Sequence, residues 1–293
     1  MAGSFHIVDV FAERPCAGNP LAVVVATTAM PDDAMQRVAA ETNYSETTFV
    51  TPLPEHDGGR RVRIFTPARE IAFAGHPILG TAWVVRRHLE PEASGPVRLN
   101  LAVGQVPVTF ESSPGRPEVG WFRAPPMSLG PTYAAERIAP ALGIFVGDVD
   151  GSAPVQRCSA GTAAMIVPLR SLDALRRSRL DLAAYAPLAA DGLPPLVYLF
   201  CAETRSPEND LSARFFFEAN GVREDPATGN GAAFLGAYLL EHRFRSGSEL
   251  ALRIEQGHDL GRPSLVLLRA RNAGAFEVHV GGGVIPIVEG RLL

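Results

Sequence analysis

The sequence predicts an α+β fold built from two similar halves, and three observations lead to that prediction. Segments with the alternation or β-branched runs of strands outnumber segments with helical spacing. Gly229 follows Gly75 by 154 positions, and a shift of that length superimposes a glycine loop and the whole helix after it. With one internal helix per half, helices are too few to cover both faces of a doubly wound parallel sheet.

Strands and turns dominate the first half. Residues 5–11 alternate apolar and polar side chains, residues 21–25 form a β-branched run, and turn residues lie between them. Residues 47–50 and 61–65 also have the composition of strands.

A helix is predicted to begin at Pro31 and to end near Asn43. The fixed φ of proline suits the first helical turn, and Asp32 and Asp33 complement the positive end of the helix dipole. Asparagine tolerates the left-handed conformation of a C-terminal cap, so Asn43 is the expected stop.

The most informative local pattern is Ala74-Gly-His-Pro77, which follows a strand and precedes apolar residues at helical spacing. This order exposes helix N-terminal amides to a ligand and suits an anion. The 154-residue shift reproduces it in the second half, and a weaker echo relates Ala17-Gly18 to Ala160-Gly161. The shift aligns these pairs: Arg69-Glu70 with Arg223-Glu224, Gly75 with Gly229, His76 with Asn230, and His88 with His242.

The Pro- and Gly-rich stretch at residues 123–131 marks the expected boundary. We therefore divide the chain into an N-terminal lobe, residues 1–126, and a C-terminal lobe, residues 127–279. A final strand, about residues 280–293, could complete the N-terminal lobe or return to the C-terminal lobe, and the sequence does not decide between them.

Composition narrows the function classes. Hydrophobic content of 46% and charged content of 20% are those of a soluble globular protein. The net charge of −4 and scattered arginines argue against a nucleic-acid partner. Apolar stretches near the start are too short for a membrane span or a signal peptide, so we expect no membrane partner and a cytoplasmic location.

The chain contains no lysine, since all 27 basic residues are arginine. This excludes a pyridoxal Schiff base, a Walker lysine and a lysine general base. The three cysteines have no metal-type spacing, no two histidines have ligand spacing, and no Gly-x-Ser-x-Gly elbow is present. The sequence thus predicts no metal and no organic cofactor.

Three side chains are the leading candidates for chemistry, and each has a structural alternative. His76 could shuttle a proton, with a pKa lowered by the helix dipole, or it could be a helix-start residue bonded to backbone. Glu46 could be a partly buried acid/base or a solvated surface residue. Asp225 could be a second carboxylate in the same cleft or the opening of an Asp-Pro turn.

Several strings in this order resemble the phenazine-biosynthesis PhzF-like family, and they cover nearly the whole chain. They are Asp9-Val-Phe11, Ala17-Gly-Asn-Pro20, Ser45-Glu-Thr-Thr-Phe49, Phe73-Ala-Gly-His-Pro77, Glu224-Asp-Pro-Ala-Thr-Gly-Asn230, Glu255-Gln-Gly257 and Gly261-Arg-Pro-Ser264.

The resemblance implies a diaminopimelate epimerase-like fold. In that fold two pseudo-symmetric lobes each wrap a barrel-like, mostly antiparallel sheet around a central helix, with the site in the cleft between lobes and often in a homodimer. It also implies an isomerase that moves a proton on a small carboxylate-bearing substrate without a cofactor. Glu46 would move the proton, while His76 and Asp225 would bind, orient or polarise the substrate. The implied substrate-binding residues are Asn19, Ser45, Gly75, Thr228, Gly229 and Asn230.

Two departures from related proteins bear on the substrate and on the mechanism. Asn230 stands where phenazine isomerases carry a serine after the second loop glycine, and an amide cannot reproduce hydroxyl geometry. Ala74 and Thr228 stand where related epimerases carry cysteines, which excludes two-thiol racemisation.

The sequence therefore favours a proton-transferring isomerase similar to trans-2,3-dihydro-3-hydroxyanthranilate isomerase. Two alternatives stay open at this point. One is a carboxylate-dependent epimerase or racemase, and the other is a non-catalytic small-molecule-binding protein of the same fold.

Overall fold

A computed structural model describes residues 3–115, 117–194, 196–217, 224–244 and 247–292. Arg223, one of the residues aligned by the 154-residue shift, lies outside these ranges. The chain divides into two compact units, the first comprising residues 1–123 and 280–293 and the second residues 124–279.

Strands supply most of the regular structure. They are β1 (Gly3–Val10), β2 (Asn19–Ala26), β3 (Thr47–Val50), β4 (Arg60–Phe65), β5 (Glu70–Ile71), β6 (Val97–Leu101), β7 (Gly104–Glu111), β8 (Val119–Arg123), β9 (Ser128–Tyr133), β10 (Val155–Ala160), β11 (Thr162–Leu169), β12 (Leu196–Cys201), β13 (Leu211–Phe217), β14 (Glu224–Asp225), β15 (Glu249–Gln256), β16 (Ser264–Asn272) and β17 (Phe276–Leu292).

The α-helices are fewer. They are α1 (Asp32–Thr42), α2 (Gly75–Val84), α3 (Ala135–Ile138), α4 (Leu172–Arg177), α5 (Leu182–Ala190) and α6 (Gly229–Glu241). A π-helical turn, Val85–Leu89, continues α2. Within the described ranges, no helix is both long enough and apolar enough to cross a membrane.

The first unit is a closed barrel of eight strands. Antiparallel pairs join β1 to β2, β3 to β4, β6 to β7 and β7 to β8, and parallel pairs join β2 to β3 and β4 to β6. Strand β17 pairs with β8, and its residues 284–292 pair with β1, which closes the ring. A closed barrel leaves no open sheet edge among these strands.

Helix α2 fills this barrel, because it packs against β1, β2, β3, β6, β7 and β8. Its residues are buried on every side, as expected of a helix without a polar face. Gly80 permits the close approach, since an added Cβ there would lie 2.5 Å from Leu21 Cδ2. Helix α1 instead packs outside the barrel, where Met35 and Ala39 contact Phe49 and Phe65.

The second unit repeats the same order of pairings. Strands β10 and β11 pair antiparallel as β1 and β2 do, and β11 runs parallel to β12 across a helical crossover as β2 does to β3. The series continues through antiparallel β12–β13, β13–β14 and β15–β16 and parallel β13–β15. Helix α6 packs against β10, β11, β15 and β16 and occupies the place of α2. The predicted α+β fold of two similar halves is confirmed.

Each unit has one internal helix, as the sequence predicts, and the two units differ in the helices outside the sheet. Between β11 and β12 the chain forms α4 and α5, where the first unit has the single helix α1. Leu175, Tyr185 and Leu188 of these helices join an apolar cluster with Val167 and Leu199 of the sheet. This second layer lies on the sheet surface, not inside it, so it leaves the repeated plan intact.

Candidate active site

The first glycine loop leads from β5 into α2. Ala74 is extended, with φ −154° and ψ 142°, and Gly75, His76 and Pro77 form the first helical turn. Amides in a first turn have no intrahelical acceptor, and the helix dipole adds partial positive charge there. All three of these first-turn residues are buried, so the helix begins inside the barrel and not at its surface.

Asn19 orients the ring of His76. Asn19 is the first residue of β2 and is fully buried, and its Nδ2 lies 3.1 Å from His76 Nδ1. With the amide nitrogen donating, Nδ1 is the unprotonated nitrogen and Nε2 carries the ring hydrogen. The Asn19 side chain therefore selects the tautomer of His76.

Glu46 lies on the other side of the His76 ring. Its Oε2 is 3.4 Å from His76 Nε2, and both side chains are more than nine-tenths buried. Glu46 directly precedes β3, whose first residue Thr47 pairs with Ala22 of the parallel strand β2. Because parallel strands begin at the same edge of a sheet, Asn19 and Glu46 reach one end of the barrel together.

Burial controls the charge of His76. Desolvation lowers the pKa of its imidazole to about 3, so the ring is neutral near pH 7. The sequence predicts the same direction from the helix dipole, and the structure adds burial as a cause. A neutral ring can donate a hydrogen bond from Nε2 without taking a proton from a neighbouring carboxyl group.

Residues of the strings Asp9-Val-Phe11 and Ala17-Gly-Asn-Pro20 hold the turn before Asn19. Asp9 Oδ2 accepts a hydrogen bond from the Cys16 amide at 2.8 Å. Gly18 has φ +66°, and a Cβ there would lie 2.3 Å from the carbonyl oxygen of Val10. These residues therefore stabilise the turn. Ser45, another predicted binding residue, precedes Glu46 in the chain and is half-buried.

The second glycine loop holds a carboxylate in a network of hydrogen bonds. Asp225 pairs with Phe215 across β13 and β14, and both Asp225 and Thr228 are buried. Thr228 Oγ1 donates to Asp225 Oδ2 at 2.6 Å. Thr228 is also the extended residue directly before Gly229, the first residue of α6.

Gln256 completes this network and has no role in the sequence-based prediction. Its Nε2 donates to the Asp225 carbonyl at 2.8 Å and to Thr228 Oγ1 at 3.0 Å, while its Oε1 accepts from the Thr228 amide at 3.2 Å. Since the Thr228 hydroxyl accepts from Gln256, it is left to donate to Asp225. Gln256 thereby fixes both the loop and the direction of the hydroxyl.

The neighbours of Gln256 explain the string Glu255-Gln-Gly257. Buried Glu255 accepts hydrogen bonds from the Arg205 and Ser206 amides, Asn209 and Ser212. Burial alone would raise the pKa of Glu255, but these hydrogen bonds outweigh it and hold the pKa below its usual value. Gly257 has φ +75°, and a Cβ there would lie 2.4 Å from the Pro226 carbonyl oxygen. The string is therefore a support for the second loop.

Asn230, the counterpart of His76, is half-buried at the second position of α6. The ring of Tyr198 packs directly against the next residue, Gly231. A Cβ on Gly231 would lie 2.4 Å from Tyr198 Cδ2, so only glycine leaves room for the ring. The Tyr198 hydroxyl is buried and has no hydrogen-bond partner among the described residues. Burial, and to a smaller extent the Asp225 carboxylate, raises the pKa of Tyr198, so the hydroxyl stays protonated. Tyr198 is a second residue that the sequence-based prediction omits.

The structure thus assembles the candidate residues in two groups. In the first unit Glu46, His76 and Asn19 are in contact at the start of α2. In the second unit Asp225 and Thr228 are in contact before the start of α6. The first group pairs a buried carboxyl group with a neutral imidazole, and the second presents an oriented carboxylate.

Comparisons with known proteins bear on the family and the fold of the chain. The family model described as phenazine biosynthesis-like protein matches residues 8–290. The chain is 34% identical over 292 residues to a trans-2,3-dihydro-3-hydroxyanthranilate isomerase of Pseudomonas aeruginosa, covering 98% of each chain. It is 31% identical over 296 residues to an uncharacterised isomerase of Mesorhizobium japonicum, covering 99% of this chain and 98% of the relative. A crystal structure of a PhzF-family phenazine biosynthesis protein of Bacillus anthracis matches with a TM-score of 0.90 at 23% identity, covering 100% of this chain and 99% of that one.

Proposed function

This chain belongs to the phenazine biosynthesis-like family and is an isomerase of that family, and we propose that it moves a proton on a small carboxylate-bearing metabolite with Glu46 as the acid/base. The reaction we propose is migration of a double bond. Glu46 takes a proton from one carbon of the substrate and returns a proton to another, so the substrate and product have the same atoms and the carboxyl group is restored.

The observation that carries this proposal is the 3.4 Å approach of His76 Nε2 to Glu46 Oε2 in buried surroundings. A general base must ionise and then hold a proton near neutral pH, and burial of a carboxyl group favours the protonated form. His76 stays neutral because burial lowers its pKa to about 3, so it can donate to the Glu46 carboxylate without competing for the proton. Hydrogen bonds in a catalytic site are often long before the substrate binds.

Other groups would bind the substrate. The first-turn amides at Gly75 and Gly229 begin buried helices, where a substrate carboxylate would gain hydrogen bonds and a favourable helix dipole. Asp225 is held by Thr228 and Gln256 and would accept a hydrogen bond from a hydroxyl or amino group of the substrate. No lysine is present to form a Schiff base, and the proposed proton transfer requires no organic cofactor.

The named relatives suggest a substrate to try first. One of them, at 34% identity, is a trans-2,3-dihydro-3-hydroxyanthranilate isomerase, so we propose a ring-bearing carboxylate of the dihydro-hydroxyanthranilate class. We propose the class and not that one compound, because the identity is low and Asn230 replaces the serine of the resembling isomerases. An amide at Asn230 would favour a substrate with a different arrangement of donors and acceptors near the second loop.

The experiment is incubation of the purified chain with trans-2,3-dihydro-3-hydroxyanthranilate, with NMR identification of the product. We expect double-bond migration, loss of turnover in Glu46→Gln by about 10²–10⁴-fold, and full turnover in Glu41→Gln, which changes an exposed glutamate of α1. Inversion at one carbon would support the epimerase alternative. Binding without conversion of this and related cyclic acids would support the non-catalytic alternative.

We also propose a homodimer, as the family resemblance implies. Light scattering should give twice the chain mass of 31.3 kDa. A mass of one chain at working concentrations would contradict this part of the proposal.

A further inference from the structure

Three metal-ligating side chains that the proposed reaction does not use meet at the opposite end of α2 from His76. They are His6 on β1, His88 on the π-helical turn and Glu289 on β17, and one donor atom from each lies within 4.8 Å of the others. From position 76 to position 88 a helix rises by about 18 Å. This cluster is therefore separate from Glu46 and His76.

The strand register brings two of these residues together. His6 and Glu289 are direct partners in the antiparallel pair of β1 and β17. Directly opposed side chains have Cβ atoms about 4.5–5.5 Å apart and point to the same face of the sheet. Val8 and Val10 of β1 lie against Gly80 of α2 inside the barrel, and His6 continues this face toward the end of the barrel, where Glu289 is exposed.

The third residue arrives from the end of the central helix. The rings of His6 and His88 have centroids 4.4 Å apart, and His88 Nδ1 lies 3.9 Å from Glu289 Oε1. A helix C-terminus carries partial negative charge from unpaired carbonyls, which favours a cation there. Local departures to π-helix are also frequent at functional sites.

Neighbouring groups support both rings. His6 Nε2 lies 3.0 Å from Ser4 Oγ, and Trp83 packs edge-on against His88 with centroids 6.1 Å apart. Such contacts orient imidazole ligands in metal sites.

We propose that His6, His88 and Glu289 bind one zinc ion. Two imidazoles and one carboxylate form a ligand set that suits Zn²⁺ and leaves a fourth position for water. Tetrahedral ligands at about 2.0–2.1 Å from zinc are roughly 3.3 Å apart, so the cluster must contract on binding. Glu289 can supply the movement, because 69% of its side-chain surface is exposed. Both His88 and Glu289 reach solvent, which gives the ion access.

The second unit offers a matched control. His242, the counterpart of His88, ends α6 and its Nε2 lies 2.7 Å from Gln156 Oε1 on β10. A glutamine side chain is a poor zinc ligand, and the described residues include no further group of three such ligands. His242 is thus in the same place in the repeated plan, and in the described part of the chain it belongs to no group of three metal-ligating side chains.

The test uses the untagged full chain, stripped with a chelator and titrated with zinc sulfate against a chromophoric chelator. We expect one zinc ion per chain, at least about 10-fold weaker binding in Glu289→Gln and more than about 100-fold weaker binding in His88→Ala, since even loss of outer-shell partners costs 10–100-fold. His242→Ala should bind as the unchanged chain does. Crystals soaked in zinc should give an anomalous peak within bonding distance of all three side chains.

Two results would overturn the proposal. One is the absence of zinc binding by the unchanged chain at micromolar concentration. The cluster would then be only two stacked imidazole rings beside a carboxylate. The other is zinc binding that survives both His88→Ala and Glu289→Gln. Circular dichroism of each variant separates loss of a ligand from loss of fold, and Glu289→Gln changes a largely exposed side chain. Neither result depends on the proposed isomerase activity.

Discussion

The two glycine loops occupy the same place in the repeated plan, yet they present different chemistry. At the start of α2 a neutral imidazole faces a buried carboxyl group across 3.4 Å. At the start of α6 a carboxylate is fixed by a threonine hydroxyl, and a glutamine amide fixes that hydroxyl in turn. The comparison shows that two halves with the same order of elements can present different side chains at equivalent loops. In the function we propose, the first loop transfers the proton and the second orients the substrate.

The largest expected effect is the difference in kinetics between a Glu46 variant and an Asp225 variant. Glu46→Gln should lower kcat by about 10²–10⁴-fold with little change in KM, because it removes the acid/base. Asp225→Asn should mainly raise KM, since an amide can still accept from Thr228 but lacks the charge that we propose binds the substrate. Steady-state kinetics on both variants measures the contrast. Equal losses in kcat would contradict the division of roles.

The next effect concerns the hydrogen bonds of Gln256 to Thr228 and Asp225. Gln256→Leu leaves the buried Thr228 amide and Asp225 carbonyl without their partner, at a cost of about 1–3 kcal/mol in unfolding free energy. It should also raise KM, because Asp225 is no longer oriented. Denaturant unfolding and kinetics measure the two consequences.

Gln36 is the matched control for this prediction. Its Nε2 donates to the carbonyls of Thr66 and Pro67, which lie between β4 and β5 and not in either glycine loop. Gln36→Leu should lower stability and leave KM unchanged. An unchanged KM in Gln256→Leu would show that substrate binding does not depend on the hydrogen bonds of Gln256.

The pH dependence of stability tests the buried state of His76. Its folded pKa of about 3 lies below the unfolded value of 6.5, so the unfolded state binds more protons in this window and stability falls as pH drops. The slope from this residue approaches about 1.4 kcal/mol per pH unit. His76→Asn should therefore lose stability less steeply between pH 6.5 and pH 4. Parallel curves for the two proteins, measured by chemical unfolding, would mean that His76 is solvated in the native state.

The smallest expected effect compares two tyrosines of the second unit. Tyr238 OH donates to the Pro154 carbonyl at 2.8 Å, whereas the Tyr198 hydroxyl has no partner in the described part of the chain. Tyr238→Phe should cost about 1 kcal/mol, and Tyr198→Phe should cost less or stabilise the protein. Thermal unfolding measures both. A larger loss for Tyr198→Phe would indicate a structural role for its hydroxyl.

Local signals in the sequence were sufficient to predict several elements. Pro31 and Asn43 flank the observed helix Asp32–Thr42, and Asn43 adopts φ +53° as expected for a left-handed cap. The glycine loops begin α2 and α6, and the predicted strand at residues 47–50 has the observed bounds. Each of these predictions depends on residues within one turn or one strand of each other.

The features missed by sequence reasoning depend on distant pairings. Gln256 reaches Thr228 because β15 ends beside the second loop, and no spacing rule connects these two positions. His6 and Glu289 meet through the register of the first and last strands, so a search for local ligand spacing could not detect them. The neutral state of His76 is predicted from its place at a helix start, and its burial inside the barrel, a second cause, depends on strands far away in the sequence.

The central claim, that Glu46 carries the proton, is tested most directly by hydrogen exchange in deuterated water. The substrate is incubated with the unchanged chain, Glu46→Gln and Glu41→Gln, and NMR follows replacement of the substrate hydrogen by deuterium. We expect exchange with the unchanged chain and with Glu41→Gln, and none above background with Glu46→Gln while calorimetry still detects ligand binding. Exchange by Glu46→Gln at the rate of the unchanged chain would contradict the assignment.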